Sequence, residues 1–474
     1  MRHGGRWLGY GLLASLLTAC AVTAPEVDPP VTLPATFTAA GEQPLSDRWW
    51  QDLEDAALNR LMERALSANF SLRSAWSRLR AAQASARRAG APRLPAVDGT
   101  ADATRQIDSQ RPNSNQRSLG LAASYELDLW GRVRATAKAA ALDAQASQRQ
   151  LQTAAISLTA EVARTWYELV AQRRQAAVLE DQLALNQRVL ELVELRFRFG
   201  KVGAADVLRQ RQLVEQTRGD RTDVRAEIAR LEHALAVLLG QSPGQTELPA
   251  QTELIDLPPL PQTGLPAELL ARRPDVQQAV LTIQAADARV AAAIAERFPR
   301  IDLRITRTTS AVNTAGLFTD WLTQLTANLS VPLFDAGRRR AEVERTRAVL
   351  AQAINDYGDT VLKALQAVED GLAQEREQRR KLASLEQQLA LADQVVARLR
   401  QRYIDGSTTY LDVLDALVNQ QQLERQVITA KRRLITHRIT LARALAGGWS
   451  LSPPPAPSTA THADKPQTHA HHES

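Results

Sequence analysis

Hydrophobic positions along this chain change period in a fixed order, and the order occurs twice. Over 53–90, Leu58, Leu61, Ala65, Leu66, Leu72, Ala75, Trp76 and Leu79 recur at spacings of three and four, which predicts a helix with one apolar face. Pro92 and Pro95 close that stretch and short alternating runs follow. Leu119, Leu121, Ala123, Tyr125, Leu127 and Leu129 share one side of a period-two pattern, with Gly120, Ala122, Ser124, Glu126 and Asp128 on the other. In the second half Ile301, Leu303 and Ile305 alternate with Asp302, Arg304 and Thr306, and Leu325, Ala327, Leu329 and Val331 with Thr326, Asn328 and Ser330. Polar loops at 108–116 and 313–320 separate the strands of each pair.

Each strand pair precedes a very long helical pattern, from about 132 to 199 and from about 338 to 404. The 22 prolines all avoid 113–242 and 333–452, which excludes the frequent proline-bearing turns of ordinary domains. At 1.5 Å per residue each helix is on the order of 100 Å long. Leu151, Ala155, Leu158, Val162, Trp166 and Leu169 form a seam on the first, opposite a face of Gln, Arg and Glu, so the helix requires coiled-coil-like neighbours.

The duplication extends to residue identities. Residues 196–208 align without a gap on 402–414, at an offset of 206, and share Arg, an aromatic, Gly, Asp, Val and Leu. Arg93-Leu94-Pro95 matches Arg297-Phe298-Pro299, and Gly131-Arg132 matches Gly337-Arg338. Two structural repeats, 53–245 and 265–448, are therefore expected, each built as helix, two strands, long helix, shorter helix, and joined by a linker at 246–264.

Composition adds constraints. A single Cys excludes a disulfide scaffold or a multi-cysteine cluster. The net charge of +6 falls to +4 once Arg2 and Arg6 of the leader are discounted, too little to point to a nucleic-acid partner. No glycine-rich phosphate loop, nucleophile motif or His-Glu-x-x-His is present, and His233 and His437 stand alone on helices, so neither an enzyme nor a resident cofactor or metal is expected.

The ends read differently from the middle. Arg2 and Arg6, then the apolar run 8–17, make 1–19 a secretory signal. Leu17-Thr18-Ala19-Cys20 resembles the bacterial lipoprotein signal, which implies cleavage before Cys20, its acylation, and, with Ala21 following, residence in the outer membrane of a Gram-negative cell. Residues 20–52 form a Pro/Thr/Ala-rich tether and first contact segment. The tail 449–474 is Pro-rich and carries His462, His469, His471 and His472; disorder is expected of it, with metal scavenging as the alternative.

Four half-apolar strands cannot close a barrel, yet their alternation suits lipid on one side and water on the other. An open edge is not tolerated in lipid, so closure must come from other copies, and three copies supply twelve strands. A soluble sheet capping a coiled coil is the alternative. Residues 20–448 resemble the outer-membrane channel components of tripartite efflux and type I secretion systems, closest to the lipoprotein branch paired with resistance-nodulation-division pumps. Cys20, Trp49-Trp50 with Asp52, Glu126-Leu127-Asp128-Leu129-Trp130-Gly131, Leu329–Phe334 running into Gly337, and the paired motifs at 196–208 and 402–414 carry the resemblance. It implies a mixed α/β membrane protein: a homotrimeric twelve-strand outer-membrane β-barrel, four strands per chain, continuing into a long periplasmic α-helical coiled-coil barrel. It also implies a periplasmic adaptor and an inner-membrane pump as partners.

The repeated motifs fall where each long helix must reverse. Gly200, Gly203 and Gly406 are expected to permit the tight backbone there. The resemblance makes these turns periplasmic tips, with Arg196, Arg198, Lys201, Arg402, Ser407, Thr408 and Thr409 as adaptor-contact or local-fold residues. It matches Asp412 and Asp415 to acids that line a closed aperture, with Asp206 beside them. Three copies would form rings of carboxylates that favour cations. Thr408 stands where such channels carry a basic residue, so the bridge that residue makes is in doubt, and Arg209 beside Asp206 is the substitute candidate. Trp321 and Tyr125 suit an aromatic girdle, and Trp130 the junction of barrel and helices. The leading expectation is a passive exit duct for small molecules such as drugs, solvents or metal ions. Protein secretion within the same family and a pore-free structural lipoprotein are the alternatives.

Overall fold

The computed structural model describes residues 30–41, 46–107 and 114–453. The signal at 1–19, Cys20, and the histidines of the tail lie outside the described residues. In chain order the elements are α1 (Ala56–Ala68), α2 (Phe70–Gly90), β1 (Ala96–Gln106), β2 (Ser114–Glu126), α3 (Arg132–Arg198), α4 (Ala204–Leu238), α5 (Pro266–Arg272), α6 (Pro274–Ala295), β3 (Arg300–Ala311), β4 (Leu322–Ser330), α7 (Arg338–Ile404) and α8 (Tyr410–Leu445). No helix among the described residues is long and apolar enough to cross a membrane.

The expected helix over 53–90 is two helices. Asn69 adopts an extended backbone, its side chain accepts from the Leu72 N–H at 3.0 Å, and its amide donates to the Leu238 carbonyl at 2.9 Å. An amide that caps the next helix while bonding to a distant one fixes a break that apolar spacing does not reveal.

The strands form one antiparallel sheet in the order β1-β2-β3-β4, so the β2–β3 pairing joins the two halves of the chain. The register pairs odd with odd throughout: Val97 with Ala123, Ala123 with Ile305, Ile305 with Leu325. Every odd-numbered strand residue therefore shares one face, which carries the aliphatics apart from Leu322 at the start of β4. The even face carries Asp98, Asp102, Glu126, Asp302, Arg304 and Asn328. Leu127, Leu129 and Val331 continue the alternation past the strand ends.

Glycine opens both long helices. Gly131 (φ 77°) and Gly337 (φ 84°) are left-handed, and Asp128 and Asp335 accept from first-turn amides at 2.9–3.3 Å. At the junction Glu126 bridges Arg132 at 2.6 Å and Arg300 at 2.9 Å. Trp130 stacks on Phe298 at 4.9 Å and donates to the Pro299 carbonyl at 2.7 Å, which places it where sheet becomes helix.

Two apolar clusters fill the middle of the helical body. One gathers α1, α2, the centre of α3 and the ends of α4 and α8; the other gathers α5, α6, the centre of α7 and the end of α8. The seam anticipated on α3 lies in the first: Leu151, Ala155, Val162, Trp166 and Leu169 are buried. A charged pair beside each core grips the linker. In the first half Arg173 reaches Glu232 at 2.8 Å and the Pro249 carbonyl. In the second, Arg438 and Glu375 make a buried bidentate pair at 2.6 and 2.8 Å, and Arg438 also donates to the Pro258 and Pro259 carbonyls.

Both expected end segments are packed where they are described. Phe37 is buried in the second core, and Thr38 donates to both carboxylate oxygens of Glu369. Trp449 is buried against Trp50, ring centres 5.4 Å apart, and its carbonyl accepts from Gln152. The packed chain thus extends past the expected boundary at 448, because the Trp449 indole completes the first core.

Candidate functional site

The two long helices reverse through turns of the same build. At the first, Gly200 is left-handed (φ 67°), its N–H bonds to the Phe197 carbonyl at 2.9 Å and the Lys201 N–H to the Arg196 carbonyl at 2.9 Å. At the second, Gly406 is left-handed (φ 74°), with Gly406 bonded to Tyr403 at 3.2 Å and Ser407 to Arg402 at 2.9 Å. These paired bonds close the last carbonyls of each helix, as a left-handed residue after a helix end does. Gly203 departs from expectation. Its φ is −84° with extended ψ, a conformation any residue adopts, and it sits at the N-cap of α4 where Thr409 caps α8.

Acids close the opposite side of each turn. Asp206 accepts from the Gly203 N–H at 3.3 Å. Asp412 accepts from the Thr409 N–H at 3.0 Å and from the Thr408 and Thr409 hydroxyls at 2.7 and 2.6 Å, and Thr409 Oγ1 accepts from the Asp412 N–H in return. The Thr409 and Thr408 hydroxyls, the Thr409 amide and the nearby Arg402 hold the Asp412 carboxyl below the usual range. Thr408 thus helps hold the Asp412 carboxylate against the turn. Arg209 pairs with Asp206 at 3.3 Å within its own helix rather than with the other helix pair. Asp415 lies exposed one turn beyond Asp412 on the same face, opposite buried Leu414 and Leu417.

The turns are tied together. Arg196, half-buried rather than free at the surface, sets its guanidinium over the Tyr403 ring at 4.3 Å, and Tyr403 packs on Tyr410 at 5.9 Å. Val193, Val207, Leu213, Tyr410 and Leu414 form a small apolar core between them. Lys201, Arg402, Ser407 and Arg198 remain exposed.

Above this core runs a buried line of amides that sequence reasoning missed. Tyr410 donates to Gln210 Oε1 at 2.5 Å, Gln210 to the Asn186 carbonyl at 2.7 Å, and Asn186 and Gln421 exchange two bonds at 3.3 and 2.9 Å. Gln182 continues it to Glu424 at 2.8 Å and accepts from Arg425 at 2.6 Å. Every residue pairing crosses between helices of the two halves or of one reversal, so the line sets their register. Burial, followed by the neighbouring Tyr403 and Asp206, pushes the Tyr410 hydroxyl above its usual range. The available signal was a recurrence of Gln and Asn on inward positions of helices otherwise edged by Arg and Glu. Among the described residues no group of three His, Cys, Asp or Glu is placed to hold a metal ion.

The model of the outer membrane efflux protein family matches residues 61–241 and 265–447. The chain is similar to the pyoverdine export outer membrane protein OpmQ of Pseudomonas aeruginosa, 32% identical over 451 residues, 92% of this chain and 95% of that protein. It is 31% identical to the toluene efflux pump outer membrane protein TtgI of Pseudomonas putida over 412 residues, 84% of this chain and 87% of that protein. The outer-membrane channel OprN superposes with a TM-score of 0.82 at 29% identity, covering 90% of this chain and 99% of that one. The open-state MtrE channel of Neisseria gonorrhoeae superposes with a TM-score of 0.79 at 27% identity, covering 91% and 98%.

Proposed function

The chain belongs to the outer membrane efflux protein family, and from that membership we propose how its anchor, tips and mouth divide the work of an exit duct. As a family member it is a transport protein: a homotrimeric outer-membrane and periplasmic duct of a tripartite pump, working with a periplasmic adaptor and an inner-membrane pump of the resistance-nodulation-division type. It conducts small molecules out of the cell. One observation carries the reading: a sheet with one apolar face and a pair of matched reversals lie at opposite ends of the same two 67-residue helices. The 67 residues of each helix set that separation on the order of 100 Å.

The finer assignments are ours. Acylation of Cys20 anchors the mature chain in the outer membrane, supported by the lipoprotein-like leader around it. The two halves, 53–245 and 265–448, act as tandem repeats, supported by the recurrence of elements and of the turns. The tips dock the adaptor through exposed Lys201, Arg402, Ser407 and Arg198, with Arg196, Gly200, Gly203, Gly406 and Thr408 shaping the surface. Asp412 and Asp415 line the periplasmic mouth, where three copies present rings of carboxylate that favour cations. Asp206 and Arg209 brace the neighbouring turn. The cargo falls in the range of drugs, solvents and metal ions, alongside relatives named for pyoverdine export and toluene efflux.

Photocrosslinkers at Lys201 and Thr408 in living cells test this directly. Capture of a periplasmic adaptor is the expected result. Correctly acylated trimers that capture none from either tip would overturn the tip assignment.

A further inference from the structure

The faces of the sheet differ in charge as well as polarity. All the acids of the described strands, Asp98, Asp102, Glu126 and Asp302, lie on the even face, together with Arg300 and Arg304. The odd face carries three charges among the described residues, and all are arginine: Arg105, Arg117 and Arg307. Each lies toward the hairpin ends of the strands. Arg105 pairs with Asn115 beside the β1–β2 connection, Arg117 lies one odd position further along β2, and Arg307 pairs with Leu121 and Thr323. Toward the opposite end the same face is uncharged: Val97, Ala123, Ile305, Leu325, then Leu303, Ala327, Ile301 and Leu329.

An aromatic ring meets one of the arginines, and apolar groups stand on the neighbouring connection. The Arg307 guanidinium lies 5.3 Å from the centre of the Trp321 ring. The β3–β4 connection includes a short 3₁₀ turn, Ala315–Phe318, and carries Val312 and Phe318 with 73% and 70% of their surface exposed. Apolar groups beside cations suit the depth where acyl chains give way to headgroups, and arginine on a lipid-facing strand costs most at mid-membrane and least at the interface. A set of guanidiniums with no acid on its own strand face, the nearest described acid in the connection being Asp320 beside Trp321, is complementary to phosphate, which each fork can hold by two hydrogen bonds.

We infer that Arg105, Arg117 and Arg307 form, with Trp321, a binding ledge for a phosphate-bearing lipid headgroup of the outward-facing leaflet, one ledge per protomer. The inference rests on the sheet being part of a lipid-embedded barrel. It goes further in that the outer surface selects its lipid by charge.

The test is native mass spectrometry of the full-length acylated trimer, titrated with bisphosphorylated lipid A and with the same lipid stripped of phosphate. Wild-type trimers are expected to retain the phosphorylated form preferentially. Arg105→Gln/Arg117→Gln/Arg307→Gln should lose that affinity by on the order of a hundredfold, from three basic contacts near a charged surface. The corresponding triple Lys variant should keep most of it. If the triple Gln variant fails to assemble, the three single Arg→Gln variants must each show a partial loss. Equal binding of both lipids, unaltered binding by the Gln variants, or displacement by inorganic phosphate alone would overturn the inference. Planar-bilayer conductance of the wild type is recorded in parallel. Trimers that conduct yet show no lipid preference sink the ledge alone, whereas trimers that do not conduct sink the barrel reading and the ledge with it.

Discussion

Arg196 holds its guanidinium 4.3 Å from the centre of the Tyr403 ring, so the last turn of one long helix rests on the last turn of the other. The contact crosses between the halves of the chain at the point where the tip motifs recur. A cation over an aromatic face is worth about 0.5–1 kcal/mol when exposed and about 2 when desolvated. Arg196→Ala should therefore loosen the tips by about 1 kcal/mol. Hydrogen exchange measured by mass spectrometry should quicken at 196–203 and 402–409 together, whereas quickening confined to 196–203 would deny the coupling.

The glycines of the turns are not equivalent. Gly200 and Gly406 are left-handed with open space around them, so Ala there meets no clash and only the backbone penalty, about 1–2 kcal/mol. Gly203 is extended and also unobstructed, so Gly203→Ser should be neutral or slightly stabilising through a new N-cap. Thermal unfolding of the three variants should separate Gly203 from the other two.

Glu375 and Arg438 are both buried and mutually bidentate. Removing Glu375 leaves the buried Arg438 guanidinium without its counter-charge, whereas Arg438→Met leaves Glu375 its bond from Arg379 at 3.1 Å but strips a donor from the Pro258 and Pro259 carbonyls. A loss of roughly 3–5 kcal/mol is expected for Glu375→Leu, while Glu375→Leu/Arg438→Met should lose less than the two single changes added together. Denaturation midpoints of the four proteins give the cycle.

Asp412, inside the first turn of α8, bonds back to the Thr409 cap as a carboxylate, and its folded pKa lies below the ordinary aspartate value. A depressed pKa contributes stability that is present above the unfolded value, about 4, and is lost as pH falls through the lower folded value. The segment 407–412 should stay protected down to about pH 4 and open below it, after correction for intrinsic exchange. Asp412→Ala should remove that pH dependence, and an unchanged profile in the variant would place the effect elsewhere.

The long helices were legible almost to the residue, expected over 132–199 and 338–404 and found over Arg132–Arg198 and Arg338–Ile404. Glycine marks both their starts and their ends, and no proline intervenes. The apolar strand face was legible because period two admits no other assignment in a two-sided sheet. β1 gave a weak signal, since Val97, Gly99, Ala101 and Ala103 are small. The break at Asn69, the Asn186–Gln421 exchange and the cation over Tyr403 were not legible. Each depends on a partner between about 170 and 240 positions away, and an amide on a helix looks the same from sequence whether it faces water or a second amide.

The most direct measurement is single-channel recording of purified, acylated trimers in planar bilayers, wild type against Asp412→Ala/Asp415→Ala. A duct whose mouth is ringed by carboxylates should give small, cation-favouring steps in the wild type, and larger, less selective steps in the variant. Equal conductance and selectivity in the two proteins would contradict the placement of the mouth, and trimers that pass no ions in either form would contradict the duct itself.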